Sequence, residues 1–303
     1  MGLGVATRVT KLWSRYRHGP KAVYYRDFIQ KRILATPPVL ATTDASAEIH
    51  TMVWSGDWIG GIWALKSFYF HSQRSYRLCI HEDGTLDPTA LSALRQHFPN
   101  ARVIERSTAD ARVIPWLDGT THSQAYRRKG HPFSLKLFDF VHFLESTRML
   151  VVDADVLFFA EPKALLERIE DDGYRLNAFN RDWSYGYSLD EQGLSTTVKF
   201  PVPPRINAGL GLLHSDSFEP ELVEELLGRP EIHSHPHRIE QTVLAINSAK
   251  FGFEFLPPEY DIRMGALRPD QPARHYTGPL RPLFFREGIP ALVTAGVLRE
   301  RIG

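Results

Sequence analysis

The chain has 303 residues, of which 43% are hydrophobic and 23% charged, and a formal net charge of +1. A globular chain of this size buries about three-quarters of the surface that it exposes when unfolded, and its near-neutral charge offers no broad basic footprint for nucleic acid. No stretch approaches the roughly 18 consecutive apolar residues of a membrane span, and the N-terminus lacks a signal-peptide core, so a cytoplasmic protein is expected.

The first 34 residues carry eight cations (Arg8, Lys11, Arg15, Arg17, Lys21, Arg26, Lys31, Arg32) against the single acid Asp27. Interleaved with Trp13, Tyr16, Tyr24, Tyr25 and Phe28, they suit peripheral contact with the inner face of an anionic membrane or binding of a polyanion. The alternative is a solvated extension that packs a few aromatics on the main domain. From about residue 48, strand and helix patterns alternate, which predicts parallel βαβ units. A strand over His50 to Trp54 precedes a helix over Trp58 to Phe70. The strand Arg77 to Ile80 is closed by a loop at His81 to Gly84, and it contains Cys79, the only cysteine, which reads as a small buried residue without a disulfide partner. A helix near Asp87 to Phe98 and a short strand over Ala101 to Glu105 follow. An amphipathic helix over Phe133 to Glu145 then leads into the apolar strand Met149 to Phe159. Beyond it come a helix from Pro162, strands near Arg175 to Phe179 and over Ile206 to His214, and helices starting near Pro220 and Arg238. Gly228 and Pro230 end the first of these two helices. We expect one α/β domain over residues 46–285, an N-terminal extension over 1–45 and a C-terminal tail over 286–303.

Asp153 and Asp155 are the most informative pair. In an extended strand, residues i and i+2 share a face, so both carboxylates can grip one cation while Ala154 points away. Pockets in such sheets open at the carboxyl ends of the strands. The bland alternative is a strand end with solvated acids, which leaves two like charges side by side.

Six patches in order extend this reading: Phe133 to Val141 (FSLKLFDFV), Val151 to Leu157 (VVDADVL), Ile206 to Leu213 (INAGLGLL), Glu240 to Ala245 (EQTVLA), Leu256 to Asp261 (LPPEYD) and His275 to Pro282 (HYTGPLRP). Together they resemble the glycogenin and bacterial lipopolysaccharide glycosyltransferase family. The resemblance covers about residues 130 to 285, is weaker over 48 to 129 and is absent before that. It implies a GT-A fold and a retaining, metal-dependent transfer of a hexose from a nucleotide diphosphate sugar, a UDP-sugar, to a glycan or glycolipid hydroxyl.

The resemblance also implies site residues. His275 would be the third metal ligand beside Asp153 and Asp155, a carboxylate and imidazole set that suits Mn²⁺ better than an all-oxygen Mg²⁺ site. Gly278 and Arg281 would approach the diphosphate, and Lys136 matches a position near the donor sugar and phosphates; the plain alternative for it is a helix-surface lysine. Asn207 would bind a sugar hydroxyl, or else cap a turn. Gln241 would lie beside the anomeric carbon, preceded by Glu240 where the family more often has Asp. The chain departs from the family at Arg281-Pro282-Leu283, where Lys and then Pro-Trp are usual. Trp183, Tyr185 and Tyr187 are candidates for stacking on an acceptor or for core packing, and His233, His235 and His237 read as a solvated loop rather than a zinc site. Two competing functions are a haloacid-dehalogenase-type phosphatase with Asp153 as nucleophile, and a non-catalytic nucleotide-sugar or glycan-binding protein. The phosphatase pattern normally sits on the first strand with Thr or Val where Leu157 stands here.

Overall fold

The computed structural model describes residues 16, 18–41 and 46–299. Arg8, Lys11, Trp13, Arg15 and Arg17 of the basic extension lie outside the described residues. The strands β1 (Glu48–Val53), β2 (Arg77–Glu82), β3 (Arg102–Ile104), β4 (Arg148–Val152), β6 (Asn177–Arg181), β7 (Ile206–His214) and β8 (Phe253–Phe255) form one sheet in the order β3-β2-β1-β4-β7-β6-β8. Pairing is parallel from β3 to β4, as the alternation predicts, but β7 runs antiparallel to both β4 and β6. A smaller antiparallel pair, β5 (Val156–Phe158) with β9 (Ala273–His275), stands beside it.

Helices cover both faces of the main sheet, which explains why β4 is buried along its whole length and reads as continuous apolar sequence. On one face, α1 (Trp58–Ser72) contributes Trp63 and Phe68 to a core that also takes in Ile29 and Ile33 from the N-terminal segment and Leu292 from the C-terminal helix Ile289–Ala295. On the other face, α5 (Pro132–Phe143) and α9 (Ile239–Phe251) pack Phe138, Phe140, Val243 and Ile246 against the sheet. Three further helices, α2 (Pro88–His97), α3 (Arg106–Trp116) and α4 (Thr121–Arg128), fill the path from β2 to α5. The sequence pattern does not reveal α3 and α4.

Two expected elements differ from the structure. The run Met149 to Phe159 is not one strand: β4 stops at Val152, residues 153–155 turn, with Val156 N–H donating to the Asp153 carbonyl at 2.9 Å, and β5 joins the second sheet. The strand ahead of the predicted His81 to Gly84 loop continues through Glu82, because β1 and β2 stay in register from Glu48 with Arg77 to Val53 with Glu82.

Candidate active site

The turn at Asp153 brings the two carboxylates together by a different route from strand alternation. Asp153 N–H still bonds to the Gly209 carbonyl of β7 at 2.8 Å, which fixes one carboxylate at the sheet's carboxyl edge. Asp155 then enters β5, whose partner β9 ends at His275; Val156 and His275 face each other in register. Ligand atoms of Asp153, Asp155 and His275 therefore all lie within 4.8 Å of one another. His275 Nε2 is 2.9 Å from Asp155 Oδ1 and 3.8 Å from Asp153 Oδ2.

Glycine makes this approach possible. A Cβ on Gly209 would stand 2.1 Å from His275 Cε1 and 2.7 Å from Asp153 Oδ2. The other imidazole nitrogen, Nδ1, is 2.8 Å from Asn207 Oδ1. Asn207 is held in turn, since its Oδ1 also accepts from Gly209 N–H at 3.0 Å and its Nδ2 donates to Asp182 at 2.9 Å. Its amide is thus engaged within the protein and aims the imidazole.

Cations flank the acids. Lys136, buried on α5, donates to Asp153 Oδ1 and to the Ala208 carbonyl, each at 2.7 Å, and lies 3.6 Å from Glu240. Arg281 reaches Asp155 Oδ2 at 2.9 Å and Asp57 at 3.4 Å. Burial pushes the Asp155 carboxyl up, but His275 and Arg281 outweigh it and hold it at about 2. Burial likewise disfavours the His275 imidazolium, yet Asp155 and Asp153 raise its pKa above the ordinary value. At Glu240, burial wins and the carboxyl rises to about 7, although Lys136 pulls the other way. Two carboxylates and an imidazole, already drawing cationic side chains, fit a divalent cation of Mn²⁺ or Mg²⁺ type.

All these groups line one open cleft at the carboxyl ends of the strands, together with Gln241 from α9. Gln241 makes only long contacts, 3.5 Å from Ala208 N and 3.3 Å to the Gly186 carbonyl. Gly278 lies next to the cleft residue Thr277; its φ is +51° and no atom comes within 4 Å of a Cβ placed on it. Leu283 packs against the core instead of the cleft. Tyr187 is buried, with its hydroxyl bonded to the Pro203 carbonyl and Ile206 N–H, while Trp183 borders a separate shallow hollow with Arg205. The three alternating histidines do not converge: His233 bonds the Leu227 carbonyl at 2.8 Å, and the His237 ring lies 5.4 Å from that of His131 at the cleft rim.

Three cleft residues, Trp54, Asp57 and Asp182, escape the sequence reading. Asp57 precedes the apolar helix α1, accepts from Trp54 N–H at 3.0 Å, and is pushed by burial to about 6. Its position just before that helix is the one signal that could have flagged it, and it reads there as an ordinary cap.

No protein-family model matches the chain, and the search of curated proteins found no match. Solved structures do resemble it. The galactosyltransferase LgtC, in complex with donor and acceptor sugar analogues, aligns with a TM-score of 0.55 at 14% identity over 84% of this chain and 97% of that one. The bifunctional glycosyltransferase WbbM, in its apo structure, gives 0.51 at 14% identity over 78% of this chain and 46% of that one, so the chain spans less than half of that polypeptide. An active-site glutamine-to-glutamate mutant of LgtC gives 0.51 at 14% identity, over 77% and 88% of the two chains. The fold is therefore the GT-A type that the six patches imply.

Proposed function

We propose that this protein is a retaining glycosyltransferase that moves a hexose from a nucleotide diphosphate sugar, of UDP-sugar type, to a hydroxyl of a glycan or glycolipid. One observation carries the reading: Asp153, Asp155 and His275 converge within 4.8 Å on the floor of a large cleft, on a GT-A fold. A bound Mn²⁺ or Mg²⁺ would neutralise the leaving diphosphate, which is its contribution to the chemistry. The protein's own groups do the rest. Lys136 and Arg281 add positive charge on either side of the acids, where diphosphate oxygens gain negative charge as the sugar bond breaks. Asn207 aims His275 and does not touch substrate in this reading. Gly278 leaves room for a phosphate to approach the backbone. Gln241, loosely held, turns its amide toward the anomeric carbon and orients the acceptor hydroxyl; a carboxamide is too weak a base to deprotonate an alcohol, so the departing diphosphate oxygen takes the hydroxyl proton on the same face as the sugar bond breaks. Glu240 keeps Lys136 oriented.

For the membrane-proximal end we propose peripheral contact through the basic aromatic segment. Tyr16, Tyr24 and Phe28 are 52%, 53% and 66% exposed and border one hollow, with Lys21, Lys31 and Arg32 also exposed. Among the described residues, no helix is long and apolar enough to cross a membrane.

The test is nucleotide release from a panel of nucleotide sugars with and without Mn²⁺. Asp153→Ala or Asp155→Ala should lower turnover by at least about 10²-fold, the scale of one well-aimed charge. Donor binding without turnover under every acceptor condition would instead identify a binding module.

A further inference from the structure

On the sheet face beneath α5, a second group of ligating atoms is fully enclosed. His50 of β1 faces Cys79 of β2 in register, and His81 follows on the same side of β2. His50 and Cys79 are 0% exposed and His81 1%. His50 Nδ1 is 3.0 Å from His81 Nε2, Cys79 Sγ is 3.3 Å from the same nitrogen, and the three donor atoms all lie within 4.8 Å of one another.

The distances bear on what fits between them. Tetrahedral zinc, with Zn–N of about 2.05 Å and Zn–S of about 2.3 Å, separates two nitrogens by about 3.3 Å and a nitrogen from a sulfur by about 3.6 Å. The two separations from His81 Nε2 are within a few tenths of an ångström of those values, and the third is no more than 4.8 Å. A purely hydrogen-bonded chain, by contrast, leaves gaps. His81 Nε2 has one lone pair or one proton to offer, yet His50 Nδ1 and Cys79 Sγ both lie within bonding distance of it. His50 Nε2 faces the Glu48 carboxylate at 3.2 Å, the carboxylate–histidine arrangement that orients a metal-ligating imidazole from behind. Glu48 is fixed by Arg102 at 2.6 Å and by Glu145 N–H at 2.8 Å.

We propose that His50, Cys79 and His81 form a structural binding site for a borderline-soft transition cation of the Zn²⁺ type, separate from the Asp153 cleft. Binding releases the Cys79 thiol proton to solvent, forms a bond from the thiolate to the cation, and leaves His50 with its proton on Nε2 toward Glu48 and His81 as its Nδ1–H tautomer. The cation's two positive charges are offset by the thiolate and Glu48, while Arg102 beside Glu48 is balanced by Glu145 at 2.8 Å. The sulfur and nitrogen set selects against Mg²⁺ and sets this site apart from the carboxylates of the cleft. Such a clamp would pin β1 to β2, the strands that deliver Trp54 and Asp83 to the cleft rim.

Cys79 is the sole cysteine, which makes the test specific. The full chain, produced in medium with Co²⁺ in place of Zn²⁺, should show a near-ultraviolet thiolate-to-cobalt charge-transfer band. That band can arise only at Cys79 and is blind to Asp153, Asp155 and His275. Cys79→Ser should lose the whole band with its circular dichroism unchanged, Asp155→Asn should keep it, and Glu48→Gln should weaken cobalt affinity by about 10- to 100-fold. A folded wild-type chain grown with Co²⁺ that shows no such band overturns the proposal, and so does a band that persists in Cys79→Ser.

Discussion

A single carbon added at Gly209 would meet the His275 ring and the Asp153 carboxylate at once, and neither has room to give way. Asp153 is tied to Lys136, and His275 sits between Asn207 and Asp155. Gly209→Ala should therefore lower turnover by at least about 10²-fold, because misplacement by about 1 Å is enough to do so, and should destabilise the fold by about 1–3 kcal/mol through overpacking. Turnover assays and denaturant melts check the two effects; near wild-type activity would show that the close approach is not required. The carboxylate pair was legible in the sequence because acids ending an apolar run stand out. How they meet was not. Period-2 alternation applies to a continuous strand, and here Asp153 and Asp155 lie in the turn between the end of β4 and the start of β5 in another sheet. Asp57 and Asp182 were hidden for another reason: each is a lone acid whose partner, Arg281 or Asn207, is remote in sequence.

Among the elements, α3 and α4 show why part of the fold was invisible. The buried positions of α4 are Ser123, Tyr126 and Arg127, and Arg127 is paired in the interior with Asp139 at 2.6 Å and, toward the surface, with Asp110 at 2.8 Å. A helix that buries charge shows no apolar stripe. The N-terminus of α4 is instead held by Glu224 of the helix Pro220–Leu227, whose carboxylate accepts from the N–H groups of Thr121, His122 and Ser123 at 2.9, 2.8 and 2.8 Å. Partial burial works against the anion, but these donors hold its pKa below the ordinary 4.5. A carboxyl depressed in the folded state stabilises the fold above pH 4.5, and that contribution is lost as the pH falls below it. Glu224→Gln should cost about 1 kcal/mol at neutral pH, the usual worth of an N-terminal cap, and much less in acid. Melts at pH 7 and pH 3 measure this; an equal cost at both would mean that the charge does not matter.

Over the whole molecule, the basic segment is less separate than its composition suggests. Ile29 and Ile33 are buried in the main core, the Trp63 indole donates to the Gln30 carbonyl at 2.9 Å, and Lys66 donates to Thr36 and to the Pro37 carbonyl, each at 2.6 Å. Deleting the segment would therefore disturb the fold, so surface substitutions are the cleaner probe of membrane contact. Tyr24→Ser combined with Phe28→Ser should weaken binding to anionic vesicles several-fold while leaving transfer to a soluble acceptor unchanged. Equal vesicle binding by both forms would refute the contact. The central claim is the retaining transfer itself. The most direct measurement is NMR of the first-formed product from an α-linked nucleotide-sugar donor, followed with Mn²⁺ and with excess chelator. An α-linked product that forms only with the cation is the expected result; a β-linked product, or full activity in chelator, would contradict the account.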